Sequence, residues 1–415
     1  MKTIRKYSVR VGLILMILLS LFLLLKISMG VRVSQPLEKE GIAPSEVRSR
    51  KELLLPTQAY VKTQKEVYFI GKEQKLKQIL EQTAKNRWGS FRCITKNVEK
   101  EWTELHRKAN WLELQYAGSM DYDTFANTYH FPVNSSLSNL NFANIFYDWE
   151  RKELYFLDKK HKELYLLELK GTMEPTLEEV KEKVNRNFAV EYLGKDIYGL
   201  KEEMELPNYR YLTSISSYTL FLQTLFSNSG NMTTKGEGPV LDFRNENGEN
   251  LCINNQTGIV HFQKPKSEDE NIDHYFLEVV GQLGSTIGPM RYFTNQGSEI
   301  QYRCFVEGYP IFAPNYGSSV VLKQQDRQLD IWLNQINLQL PLPCNSKTKV
   351  ESAKEVWKQL NQRVDEKEIQ DMKLGYHWKK DKENDQAVLL LPTWFVEYKG
   401  QWKEVDEVIN KGGTR

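Results

Sequence analysis

The first thirty residues constrain this chain most. Lys2, Arg5, Lys6 and Arg10 precede an uncharged, almost wholly apolar run, Val11 to Leu25, and Lys26 then leads into Ile27-Ser28-Met29-Gly30-Val31. A bilayer core takes about 20 apolar residues. The run falls just short, and it reaches that length, to Val31, if Lys26 snorkels its amine to the headgroups. Cations on the N-terminal side place that end in the cytoplasm by the positive-inside rule. The expectation is a cytoplasmic tail at 1–10, a transmembrane helix at 11–31 in the lipid bilayer, and everything beyond it outside. A cleaved signal peptide is the rival reading, with Ser28-Met29-Gly30 as the cleavage site. Two features favour the uncleaved anchor: the apolar run is at or beyond the upper length of a signal's apolar region, and Lys26 sits just before that site.

The rest is long and hydrophilic, and the chain's mean hydropathy is −0.55. Five of the 56 Lys and Arg, and none of the 54 Asp and Glu, lie in residues 1–31, so the body has 51 cations against 54 acids. That balance argues against a nucleic-acid partner, which calls for a basic face. Roughly 385 exported residues are too many for one core and suit two or three domains. Cys93, Cys252, Cys304 and Cys344 are widely spaced with no C-x-x-C pair. Their number permits up to two disulfides outside the cell, and buried single thiols are the equal alternative.

Residues 32–62 are polar, carry prolines at 36, 44 and 56, and read as a stalk. In 63–200, an N-terminal ectodomain, Gln74–Lys85 reads as a helix, and 145–150, 153–158 and 163–170 read as strands joined by charged turns. Thr176 with Glu179 forms a capping box that opens a helix with Leu177, Val180, Val184 and Phe188 on one face. A central αβ segment, 201–270, has a helix at Tyr218–Phe226 and three strands, with Asn247-Gly248 as the hairpin turn. The last segment, 271–415, has a helix with Ile272, Phe276, Val279, Val280 and Leu283 on one face, and then five strands. A helix capped at Ser352 follows, striped by Ala353, Val356, Trp357 and Leu360, and two strands close the chain. The fold class is α+β, helices packed on antiparallel sheets.

No catalytic constellation is present. The six histidines have no metal-ligand spacing, and there is neither a G-x-S-x-G elbow nor a phosphate-binding glycine loop. Ser346-Lys-Thr-Lys349 matches S-x-x-K without its companion motifs and reads as a chance match in a loop. Gly281, Gly284 and Gly288 read as a helix end and turn. Acidic pairs such as Asp326 and Asp330 are expected on solvated faces at this charge content, and spacing alone does not establish catalytic separation. The N-glycosylation triplets at Asn134, Asn231 and Asn255 read as incidental. Trp378, Trp394 and Trp402 could stack on sugars if exposed and otherwise cover a sheet. No catalytic, cofactor or metal residue is assigned.

The C-terminal segment carries a resemblance. It reads Tyr302-Arg-Cys-Phe-Val-Glu-Gly308-Tyr309-Pro310-Ile-Phe312, a strand, a helix, then Leu374-Gly375-Tyr376 and Leu391-Pro-Thr-Trp394-Phe-Val-Glu-Tyr398. This order resembles the YycH family of low-GC Gram-positive bacteria. Chain length, the single N-terminal span and Tyr218…Leu225-Phe226-Ser-Asn-Ser229 favour it over the shorter YycI group. The resemblance covers residues 201–405 and implies a bitopic regulator acting on the WalK/WalR (YycG/YycF) two-component system. It also implies a WalK-like sensor histidine kinase and a YycI-like membrane protein as partners, and αβ later domains. The eight family-motif positions Gly308, Tyr309, Pro310, Phe312, Gly375, Tyr376, Trp394 and Tyr398 are expected to be structural. On the anchor, Gly12, Met16 and Ser20 lie four apart on one face, where small residues would let a partner helix approach. The competing reading is a membrane-anchored wall enzyme or wall-binding module.

Overall fold

Alternating burial organises the N-terminal part of the body. The structure is a computed structural model, and it describes residues 16, 19–20, 47–133, 137, 140–184, 188–228, 232–235, 238–267 and 272–411. Nine strands form one sheet: β1 Gln58–Thr63, β2 Glu66–Ile70, β3 Arg87–Ile94, β4 Asn110–Asp121, β5 Asn141–Asp148, β6 Glu153–Asp158, β7 Glu163–Lys170, β8 Ala189–Gly194 and β9 Ile197–Leu200. Their order is β3-β7-β6-β5-β4-β1-β2-β8-β9, antiparallel throughout. Successive strand residues face opposite sides. Ala59 and Val61 therefore enter the main core while Tyr60 enters a second core on the other face. That second core, with Trp111, Phe146 and Tyr155, lies under the helix Val98–Arg107 through Val98, Trp102 and Leu105.

The expected stalk is corrected over its last residues. A short helix, Arg50–Leu53, is capped by Ser49 and Glu52. Leu53, Leu54 and Leu55 are buried, and β1 is an interior strand between β4 and β2. The polar residues and prolines of 32–62 hid a leucine triplet that the main core encloses.

A second sheet of fourteen strands takes in residues 232–404 together with Tyr209–Ile215. It is antiparallel except where Tyr309–Phe312 runs parallel to Ile369–Lys380, a pairing the purely antiparallel expectation did not contain. The boundary drawn at residue 270 falls inside this sheet, because Ile259–Pro265 pairs along its length with Gln328–Asn334. The helices Tyr218–Leu225, Ile272–Leu283 and Ala353–Asn361 bury one face each. The helix begun at Thr176 ends at Lys183, so Val184 and Phe188 lie beyond it. Gly281 lies in the last turn of its helix, where its carbonyl accepts from the Arg48 amide at 3.0 Å, and Gly284 opens the turn beyond. Of Ser346-Lys-Thr-Lys349 only Ser346 lies in a loop. Lys347–Val350 is a strand paired with Met204–Pro207, and the Lys349 ammonium meets Glu203 at 2.7 Å. All four cysteines are free thiols, and Cys304 is buried.

Met16, Leu19 and Ser20 are helical, and Met16 is 71% exposed. Gly12 and most of the run 11–31 lie outside the described residues, among which no helix is long and apolar enough to cross a membrane.

On the helix Ala353–Asn361, Ala353, Val356 and Leu360 are buried, but Trp357 only packs against the core from the side. Trp357→Ala should therefore cost about 1–2 kcal/mol, below the ~3–5 kcal/mol of an enclosed tryptophan. Equilibrium denaturation checks this, and a cost above about 3 kcal/mol would show that Trp357 is enclosed in solution.

Candidate functional site

The two sheets are locked together by hydrogen bonds and by close backbone approach. Lys373 on the second sheet donates to Gln58 Oε1 of β1 at 3.1 Å, and Tyr60 donates to the same oxygen at 2.8 Å. The Arg291 guanidinium donates to the Gly71 carbonyl at 3.4 Å, and Arg48 Nε to that of Met290 at 2.6 Å. Gly71 and Gly308 touch backbone to backbone. Two clefts open along this junction.

The first is polar, about 200 Å³, lined among others by Gln115, Asn144, Asp196, Asp371, Lys373 and Glu397. It exists because β4 loses register with β5 between Gln115 and Met120, which leaves Ala117, Gly118 and Ser119 at the cleft wall. Lys373 is 3% and Glu397 6% exposed, so charged groups are held here out of water. Lys373 pairs with Asp371 at 2.9 Å. Burial, and then the nearby Asp371 carboxylate, push the Glu397 carboxyl up to about 7.

Behind this cleft lies a buried ion network. Glu113 of β4 is wholly enclosed. Its carboxylate accepts from Gln115 Nε2 at 3.0 Å, from the Tyr198 hydroxyl at 2.9 Å and from the Asn144 amide, and His106 Nε2 stands 2.9 Å away. The other ring nitrogen of His106 faces the Trp102 carbonyl at 2.8 Å. Both nitrogens thus face acceptors, which only the imidazolium satisfies. Burial alone would lower the His106 pKa, but the Glu113 charge and these hydrogen bonds outweigh it and raise it above 6.5. Asp196 sits in the β8–β9 turn, where Lys195 and Asp196 both have positive φ, as a type I′ hairpin needs. Burial pushes its carboxyl up, but Lys159 at 3.0 Å and the Trp102 indole at 2.8 Å prevail and hold it below the usual range.

His106, Glu113 and Asp196 present ligand atoms within 4.8 Å of one another, a geometry that could hold a metal ion. Protein donors already occupy those atoms, and the Lys159 ammonium adds a positive charge beside Asp196. The arrangement is that of a self-neutralising network (a metal site keeps its ligands deprotonated and turned to the ion). Sequence reasoning missed it because the three residues come from a helix, a strand and a distant turn with no motif spacing. A usable signal was Glu113 itself, a lone carboxylate in the apolar strand Trp111-Leu-Glu-Leu.

The second cleft, about 240 Å³, is floored by Phe69, Tyr209, Tyr309 and Tyr376 and edged by Lys72 and Lys75. The motif residues of the C-terminal segment gather here and on the adjoining strands. Tyr309 stacks on Phe69 at 4.8 Å, and Tyr376 donates to the Pro207 carbonyl at 3.1 Å. Phe312 stacks on Phe395 at 3.8 Å, under the Arg303 guanidinium. A Cβ on Gly375 would lie 2.8 Å from the Phe312 ring and 2.9 Å from the Pro310 carbonyl oxygen. Trp394 donates to the Glu351 carbonyl at 3.0 Å, and Tyr398 to Glu368 at 2.8 Å. Gly12 is outside the described residues, so its grouping with Met16 and Ser20 is not placed.

No curated protein matches the chain. Its fold is similar to the crystal structure of YycH from Bacillus subtilis, with a TM-score of 0.69 and 14% identity over 86% of this chain and 97% of that one. Residues 194–413 match the family described as YycH protein, C-terminal domain. That stretch is more than half of the chain and holds every motif residue from Gly308 to Tyr398, and on this ground the chain belongs to the YycH family.

Proposed function

We propose that this chain is a non-enzymatic, membrane-anchored regulator of a WalK-like sensor histidine kinase, acting with a YycI-like membrane protein through transmembrane and extracytoplasmic contacts. Family membership carries the reading. The anchor belongs to the run Val11–Val31, with the N-terminus cytoplasmic and the body outside. Regulation of this kind is a coupling free energy: the chain shifts the kinase between two states by its differential affinity for them. Lipid tails are as apolar as Leu, so helices associate in the bilayer by close packing, and small residues permit it. Gly12, Met16 and Ser20 form the proposed contact face.

Purification of the full chain in mild detergent, with mass spectrometry of what accompanies it, tests the proposal. A sensor kinase is expected in the eluate. Gly12→Leu with Ser20→Leu should deplete it about tenfold while the chain still inserts. An eluate without a sensor kinase overturns the regulatory reading. An unchanged ratio in the double variant overturns only the contact face.

A further inference from the structure

The polar cleft has a charge and hydrogen-bond ledger that does not close on the protein side. Each lysine on its wall already has an acid. Lys159 pairs with Asp196 at 3.0 Å, Lys195 with Glu366 at 3.3 Å, and Lys373 with Asp371 at 2.9 Å. What is left over consists of acceptors. Glu397 takes a hydrogen bond from the Gln296 amide, and Lys373 and Lys159 act on it only from beyond ion-pair distance, so no cation among the described residues is in contact with it. Asn144 is 1% exposed, and its Oδ1 has no hydrogen-bond partner. The Asn144 amide cannot turn to hide that oxygen. Its nitrogen is committed to the Glu113 carboxylate, and a flip would set oxygen against oxygen. A buried acceptor left without a donor costs about 1–3 kcal/mol. A carboxylate without a cation in the same cleft asks for positive charge.

We propose that this cleft binds a small hydroxylated primary amine in its ammonium form, a molecule of amino-sugar size. The ammonium would take the place beside Glu397 that no lysine fills at ion-pair distance, the unpaired Asn144 Oδ1, itself closed to a ligand, would add negative potential behind it, and the hydroxyls would meet the wall at Ala117–Ser119 and Gln370. A ligand of this size suits the cleft's volume of about 200 Å³. An anionic ligand is disfavoured, because the cations it would need are already engaged. The raised Glu397 carboxyl agrees with this reading: a bound ammonium would favour the ionised form and release a proton near neutral pH. The inference stands apart from the regulatory proposal and holds or fails without it.

Glucosamine and glucose form a matched pair of probes, differing only in an ammonium for a hydroxyl. Calorimetric titration of the full chain in detergent at pH 7 should show glucosamine binding at least about tenfold more tightly than glucose. Its enthalpy should depend on the buffer's ionisation heat, as proton release requires. Glu397→Gln should remove both the preference and the proton release. Should that variant fail to fold, Asp371→Asn is expected to weaken the preference by a different route, because it frees Lys373 to compete with the ammonium for Glu397. Equal binding of the two sugars, or no heat from glucosamine up to about 50 mM, overturns the proposal.

Discussion

Gly308→Ala should destabilise the body by about 2–5 kcal/mol, although it adds one methyl group on a turn. Glu307 and Gly308 connect the strand Glu299–Val306 to Tyr309–Phe312, with φ of 49° and 93°. An alanine in the left-handed region costs about 1–2 kcal/mol. Its Cβ would also stand 2.5 Å from both Cα and the carbonyl carbon of Gly71. Overpacking of this kind costs about 1–3 kcal/mol where side chains can give way, and here the obstacle is backbone. The approach is close from both sides, since a Cβ built on Gly71 would in turn stand 2.9 Å from the Gly308 Cα. Gly297 supplies the control: its φ is 65°, and nothing lies within 4 Å of its Cβ position. Gly297→Ala should show the backbone cost alone. Urea denaturation of the full chain in mild detergent separates the two. Equal costs would mean that the Gly71–Gly308 approach does not hold the sheets together.

That contact also shows where the sequence stops being informative. Thr176 and Glu179 announced their helix, and β6 and β7 could be bounded because charged turns interrupt a strand period. These are local signals, each written within ten residues. The stretch Gly308-Tyr309-Pro310 stood out as a motif, but nothing near it said that Gly71, far upstream, is its partner. β1 was hidden although β2, one of its two partners, starts at Glu66, only three residues on. Its other partner, β4, begins at Asn110, and the prolines at 36, 44 and 56 spoke more loudly than Leu53-Leu54-Leu55. The strand Lys347–Val350 was hidden for a comparable reason, since the strand it joins, Met204–Pro207, lies far back in the chain. Of the polar cleft, one residue was within reach. Glu397 interrupts the apolar strand Ala387–Tyr398, between Val396 and Tyr398, and a charge in such a run is costly unless it is answered or used. Asn144 gave no such sign, because its exceptional position comes only from the orientation that Glu113 imposes on it.

Glu113 should be among the most costly single positions to alter. Glu113→Ala removes a fully enclosed carboxylate and takes the acceptor from the Tyr198 hydroxyl, the Asn144 amide and the His106 imidazolium at once. Breaking a buried ion pair by taking one partner costs about 3–5 kcal/mol, and here a cavity is added. Glu113→Gln keeps the volume and isolates the charge. It should leave the chain folded but lower the His106 pKa, since burial then acts without the Glu113 charge to outweigh it, and NMR of the ring protons reads this directly. The pH dependence has a definite sign. The folded-state pKa of His106 is raised above 6.5, so its contribution is complete below the unfolded value and is lost as pH climbs through the folded one. The stability gap between the natural chain and Glu113→Gln should accordingly be widest on the acid side of about 6.5 and narrow as the pH is made alkaline. A gap that widens with rising pH would show that His106 is neutral in the folded protein. In that case the hydrogen bonds to Glu113, and not the ion pair, hold the helix Val98–Arg107 to its sheet.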